Sequence, residues 1–80
     1  MQLKVKEILE CIITNLVEDK SSVSIQENIQ DSELIYEIRV NEKDMGRVIG
    51  KKGKIAQSIR TVMKAVAGKE NKKVKLEFID

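Results

Sequence analysis

The feature that most constrains this chain is the stretch Val48-Ile49-Gly50-Lys51-Lys52-Gly53-Lys54-Ile55, where two helical stripes of apolar residues meet across two glycines and two lysines. Gly50 can take a positive φ without steric cost and so stop a helix abruptly. Gly53 offers no side chain where the next helix begins, so a backbone or a phosphate can come close. The unpaired N–H groups and the positive dipole end of that next helix face the same loop, an arrangement that favours an anion.

The flanking periodicities predict what this unit joins. Val5, Ile8, Leu9, Ile12 and Leu16 recur at helical spacing, with Lys4, Glu7, Glu10 and Glu18 outside the stripe, predicting an amphipathic helix over about residues 2 to 18. After Ser21-Ser22 the period becomes two, with Val23, Ile25 and Ile29 against Ser24, Gln26 and Asn28. The turn chemistry of Gln30-Asp31-Ser32-Glu33 follows, and then Leu34, Tyr36, Ile38 and Val40 alternate with Glu37 and Arg39. Two strands so close predict an antiparallel hairpin.

Asp44 is placed to cap a short helix through Met45, Gly46, Arg47, Val48 and Ile49. Beyond Gly53, Ile55, Ile59, Val62 and Val66, flanked by Met63, predict a further helix that Gly68 stops, so the helix-loop-helix unit covers about residues 44 to 67. Val74, Leu76 and Phe78 then alternate with Lys73, Lys75 and Glu77 as a third strand that returns to the sheet across the helix pair. The expected order is αββααβ, an α+β fold with a three-stranded sheet and three helices on one face. Eighty residues hold one compact domain, expected over residues 1–80.

Composition removes most other functions. There is no histidine and a single cysteine, Cys11, which excludes an internal disulfide, a multi-cysteine metal site and most catalytic constellations. Neither enzyme nor cofactor chemistry is expected. Cys11 flanks the apolar stripe of the first helix and reads as a small buried or half-buried side chain without chemistry. With Tyr36 and Phe78 the only aromatics, modules that stack successive bases on several rings are disfavoured. A Walker A loop would need glycine in place of Met45 and Ser or Thr in place of Lys52. No long apolar run and no secretory signal pattern are found, so a cytoplasmic protein without membrane insertion is expected.

Charge is distributed unevenly. Residues 1–40 carry four basic and eight acidic side chains, whereas residues 41–80 carry eleven basic and five acidic ones. Such a separation suggests one surface that attracts a polyanion. Lys51 and Lys52 extend from the loop, with Arg47 and Lys54 on its flanks and Lys43 upstream, against Glu42 and Asp44. This set can neutralise several successive phosphates, giving binding that weakens with salt.

The helix–Gly-Lys-Lys-Gly–helix unit, bounded by a strand on each side, resembles the KH domain, and the helix and strand ahead of it resemble the type II, bacterial form. The resemblance covers essentially the whole chain, and the wording Val48-Ile49-Gly50-Lys51-Lys52-Gly53-Lys54-Ile55-Ala56-Gln57-Ser58-Ile59-Arg60 is similar to the small KhpA-type proteins. Ala56 departs from the isoleucine many KH domains place there. The resemblance implies a Gly-x-x-Gly loop that clamps the backbone of about four nucleotides of single-stranded RNA. Bases would lie in an apolar groove of Val48, Ile49 and Ile55, with Ile38, Arg39 or Val40 opposite. It further implies an RNA chaperone or post-transcriptional regulator, acting as a homodimer or with a KhpB/Jag-type RNA-binding protein and linked to cell-wall growth and cell shape. The competing expectation is an adaptor that uses the fold for protein contact, for example through Ala65, Val66 and Ala67 of the third helix.

Overall fold

The structure is a computed structural model, and it describes residues 4–79. Its elements are α1 (Val5–Leu16), β1 (Ser24–Gln30), β2 (Glu33–Arg39), α2 (Met45–Ile49), α3 (Lys54–Gly68) and β3 (Lys73–Ile79), with 3-10 turns at Lys20–Ser22, Glu42–Asp44 and Lys51–Gly53. This is the αββααβ order expected; residues 2 and 3 of the expected first helix lie outside the described residues.

β2 is central because both of its edges are occupied. It pairs antiparallel with β1 through a two-residue turn, Gln30 facing Glu33, and parallel with β3, Leu34 facing Val74 and Tyr36 facing Leu76. Asp31 takes a φ of 55° in that turn, a left-handed conformation that Asp tolerates. A parallel pair needs a crossover, and α2 and α3 supply it. Alternation along β2 sends Leu34, Tyr36 and Ile38 into the core, where they meet Val5, Leu9, Ile13 and Val17 of the first helix and its exit, Val48 of α2, Ile59 and Met63 of α3, and Leu76 of β3.

The buried Tyr36 still satisfies its hydroxyl, which donates to Glu27 Oε2 on the neighbouring strand at 2.7 Å. Burial and that carboxylate together hold the phenol well above its ordinary pKa range. Glu27 therefore shares the helix-facing side of β1 with Ile25 and Ile29. Only Ile25 is partly covered by the core; Ile29 is 61% exposed, in an open cleft it shares with Lys4 and Val5 at the start of α1, so the expected apolar face of β1 is real over only part of its length.

Three further expectations shift. α1 ends at Leu16 rather than 18, because Val17 turns extended and the next two N–H groups bond elsewhere in the fold. Cys11 is exposed, not half-buried. The buried stripe of α3 is Ala56, Ile59, Met63 and Ala67, whereas Ile55 and Val62 are 37% and 48% exposed. The buried line is thus rotated by one residue from the one that the larger side chains suggest, since two alanines allow α3 to approach its neighbours closely.

This rotation has a measurable consequence. Met63→Ala should destabilise the fold by about 2–5 kcal/mol through a core cavity, and Val62→Ala by no more than about 0.5 kcal/mol. Urea unfolding followed by circular dichroism checks both; equal effects would mean that the stripe is centred elsewhere.

Candidate nucleic-acid interface

The loop between α2 and α3 is tight because most of its residues leave the usual backbone regions. Gly50 adopts φ 77°, ψ 174°, Lys52 φ 56°, ψ 26°, and Gly53 φ 73°, ψ 15°. Gly50 closes α2 by donating to the Gly46 carbonyl at 2.9 Å, and Gly53 donates to the Gly50 carbonyl at 3.1 Å. Only glycine adopts the Gly50 conformation readily. A Cβ built there would also lie 2.6 Å from Cγ1 of Ile55, so the two requirements coincide. Gly53 is left-handed but has open space beside it.

The result is a bare helix start. No side chain caps the first turn of α3, and Lys51, Lys52 and Lys54 are exposed around it, as is Lys43 upstream. Arg47 is engaged differently. Its guanidinium pairs with Glu18 Oε1 at 3.0 Å and with the buried Asp44 Oδ1 at 3.3 Å, so the charge it offers a phosphate is partly neutralised.

Asp44 explains how the unit is mounted. It occupies the N-cap position of α2 but makes no side-chain cap bond there. Its carboxylate instead accepts from the Glu18 and Asp19 N–H groups at 3.1 and 3.0 Å, tying the end of α1 to the start of the helix pair. Asp19 extends the knot by accepting from Ser21, Ser22 and Asn41 at 2.6, 2.7 and 2.9 Å. Those donors favour the charged form and hold the Asp19 pKa far below the ordinary carboxylate range. None of these contacts spans less than two residues, and the decisive ones span more than twenty; sequence spacing carries no signal for them.

The expected groove residues separate. Val48 is wholly buried in the core and has no surface for a ligand, and Ile38 is 1% exposed. Ile49 and Val40 are partly buried against the core, Ile55 is exposed beside the loop, and Arg39 is exposed on β2. Alongside α3 the sheet ends in β3, whose Phe78 ring lies 5.3 Å below the guanidinium carbon of Arg60. Arg60 and Phe78 were not among the expected site residues; their pairing is visible only once β3 returns beside α3.

Comparison with known proteins places this arrangement. The KhpA/KhpB KH-domain family model matches residues 6–78. The chain belongs to this family. It is 49% identical to an RNA-binding protein KhpA of Clostridium perfringens over 92% of this chain and 99% of that one. It is 43% identical to an RNA-binding protein KhpA of Listeria monocytogenes over 94% and 99%. Among solved structures, Aquifex aeolicus Era bound to GDP.AlF4- superposes with a TM-score of 0.64 at 23% identity, covering 98% of this chain and 31% of Era. Era in complex with MgGDPNP and nucleotides 1506-1542 of 16S ribosomal RNA superposes with a TM-score of 0.56 at 26% identity, covering 92% and 28%. The chain thus spans about a third of those solved chains, and the likeness concerns one part of them. The type II KH fold expected from the sequence is the fold observed.

Two tests address the loop and its mounting. Gly50→Ala should destabilise by about 1–3 kcal/mol from backbone strain alone, and further through contact with Ile55. Gly53→Ala, with only a left-handed residue to accommodate, should lose about 1 kcal/mol; chemical denaturation ranks the pair. The second test concerns acid. A carboxylate whose folded pKa is depressed contributes stability that is present above its unfolded value, about 3.9, and is lost as pH falls through its folded value. Asn41→Ala should raise the Asp19 pKa toward normal, lowering stability at neutral pH and flattening the loss below about pH 4. Carboxyl carbon NMR titration together with unfolding at several pH values reads both changes.

Proposed function

We propose that this protein binds single-stranded RNA by gripping the sugar-phosphate backbone at Gly50-Lys51-Lys52-Gly53. The observation that carries the reading is the uncapped start of α3 at a glycine-bounded turn, ringed by Lys51, Lys52 and Lys54. The N–H groups of that first turn and the exposed ammonium groups around it together favour an anion there. Ile49 and Ile55 are the apolar surface nearest to hand for the bases, with Arg47 as a partly neutralised flank. Val48 supports the loop from the core. The name RNA-binding protein KhpA, carried by relatives over nearly their whole length, supports the same reading.

A loop that holds about four nucleotides binds weakly by itself, and a second copy or a second RNA-binding protein of KhpB/Jag type multiplies its hold. In this reading the protein is a cytoplasmic RNA chaperone or post-transcriptional regulator, without enzymatic activity, and its link to cell-wall growth and cell shape follows from the family resemblance. Among the described residues no helix is long and apolar enough to cross a membrane.

A second reading, protein contact as the main role, is favoured by one observation. Ile55 and Val62, two turns apart on α3, are both exposed. The patch is not the expected Ala65-Val66-Ala67 run, of which Ala67 is fully buried and Val66 half-buried.

The deciding experiment measures affinity for a single-stranded oligoribonucleotide over a range of salt, for the native chain and for Lys51→Asp with Lys52→Asp, with circular dichroism establishing that both are folded. A single strand contributes a slope of about 0.7 per neutralised phosphate, so the folded variant should lose most binding and at least about 1.4 of the slope. Equal binding by both proteins, or by neither, would transfer the lead to protein contact.

A further inference from the structure

Of the two edges of the sheet, β1 is the unguarded one. β3 carries Lys73 and Lys75, charges of the kind that discourage strand addition. β1, reading Ser24-Ile25-Gln26-Glu27-Asn28-Ile29-Gln30, has no lysine, no proline and no bulge in its register with β2. The direction of its backbone groups follows from the hairpin. Gln30 and Glu33 close a two-residue turn and so bond each other, and the antiparallel alternation then turns the N–H and C=O groups of Ser24, Gln26, Asn28 and Gln30 toward β2. The bond from the Lys73 N–H to the Ser32 carbonyl at 3.0 Å fixes the same parity from the far side of β2. The N–H and C=O groups of Ile25, Glu27 and Ile29 therefore point away from the sheet, and among the described residues no backbone group of another element meets them.

We propose that this edge pairs antiparallel with β1 of a second copy of the chain, about a two-fold axis at Glu27, joining two three-stranded sheets into one with the helices of both copies on the same face. The inference stands on the sheet alone: it gives a place to the second copy invoked in the RNA reading and does not depend on that reading. Self-complementarity is the first support. Turned about Glu27, the strand meets itself like for like, with Ile25 facing Ile29, Gln26 facing Asn28 and Ser24 facing Gln30. Ile25, Glu27 and Ile29 then oppose the same three residues of the copy, so each outward N–H finds an outward carbonyl. A slip of one residue breaks that parity. Apolar cover is the second support. Ile29 is 61% exposed and Ile25 only half covered, and the pairing sets each against the other twice by symmetry. The one unfavourable pair is Glu27 with its copy. It is eased because the Tyr36 hydroxyl donates to Glu27 Oε2 at 2.7 Å and because Lys4 and Lys72 line the same cleft as Glu27.

A seven-residue strand edge is a small interface, so the association is weak, with monomer at about 1 μM and dimer at about 1 mM. Sedimentation velocity and amide hydrogen exchange across that range compare the native chain with Ile29→Lys, Glu27→Gln and Val62→Lys. Each is checked for folding by circular dichroism, and reductant keeps the exposed Cys11 from cross-linking. Ile29→Lys, which guards the edge, should weaken association by about tenfold or more. Glu27→Gln, which keeps an acceptor for Tyr36 and removes the like charges at the axis, should tighten it about threefold. Val62→Lys, on the exposed face of α3, should leave it unchanged. In the native dimer the amides of Ile25, Glu27 and Ile29 should gain protection, whereas those of Gln26 and Asn28, already bonded to β2, should not. A chain that stays monomeric at the highest concentration overturns the proposal, as does a dimer that leaves those three amides exchanging freely. Association lost in Val62→Lys and kept in Ile29→Lys overturns it too and moves the contact to α3. No RNA is present, so none of these outcomes touches the loop reading.

Discussion

A single buried carboxylate mounts the helix pair and its glycine loop on the rest of this molecule. Among the described residues Asp44 is the one charged side chain that is buried, and it is satisfied from three directions by two backbone N–H groups and the Arg47 guanidinium. An unpaired buried carboxylate would be strongly destabilising, and a paired one is tolerated only when its lone pairs are filled. The geometry is therefore stringent: α1 must end where Glu18 and Asp19 can donate, and α2 must start where Arg47 can reach back. The loop at Gly50 is a few residues beyond this anchor. Because α2 has only five residues, it has little intrinsic helical stability of its own. Its position comes from Asp44 on one side and the core contact of Val48 on the other.

Much of this was legible in the chain because the local patterns agree with the global fold. The period-two alternation of Leu34, Tyr36 and Ile38 marks the central strand correctly, and the break near Asn41 marks the change from sheet to helix. The glycine pair marks the loop. What could not be read divides into two kinds. One is the choice between adjacent helical lines: Ile55 and Val62 look like core because they are large, whereas the line that packs contains Ala56 and Ala67, whose value is closeness rather than area. The other is long-range polar pairing. Nothing near Asp44 in sequence distinguishes a helix cap from a strut bonded to residues 18 and 19, and nothing near Lys52 announces that a non-glycine residue takes a left-handed conformation.

The same distinction governs the candidate site. Residue type was enough to put the lysines at the surface of the loop, because solvated cations need no partner to be where they are. It was not enough for the apolar residues, since a Val or Ile beside a glycine loop serves equally well as core or as surface. Val48 has no exposure and Ile55 is open, although both flank the loop at short distance in sequence. Arg47 shows that even a cation near the loop is not automatically part of a phosphate site, because two carboxylates already claim it.

The charge asymmetry between the halves of the chain has a structural meaning that the totals do not convey. Three of the eight acidic residues of the first half are used within the fold: Glu18 and Asp19 in the α1 exit knot, and Glu27 on the Tyr36 hydroxyl. The basic residues of the second half are mostly left to solvent, around the loop, on one flank of α3 and along β3. A protein that needed these cations only for solubility would gain as much from mixing the signs, and mixed signs would repel a polyanion less selectively. Spending carboxylates on internal pairing while leaving ammonium groups exposed on the loop and along α3 produces a directional field from a chain whose formal net charge is only +2. In the proposed reading that field, together with a turn that only glycine adopts readily at Gly50, makes the loop a place where an extended anion can be held.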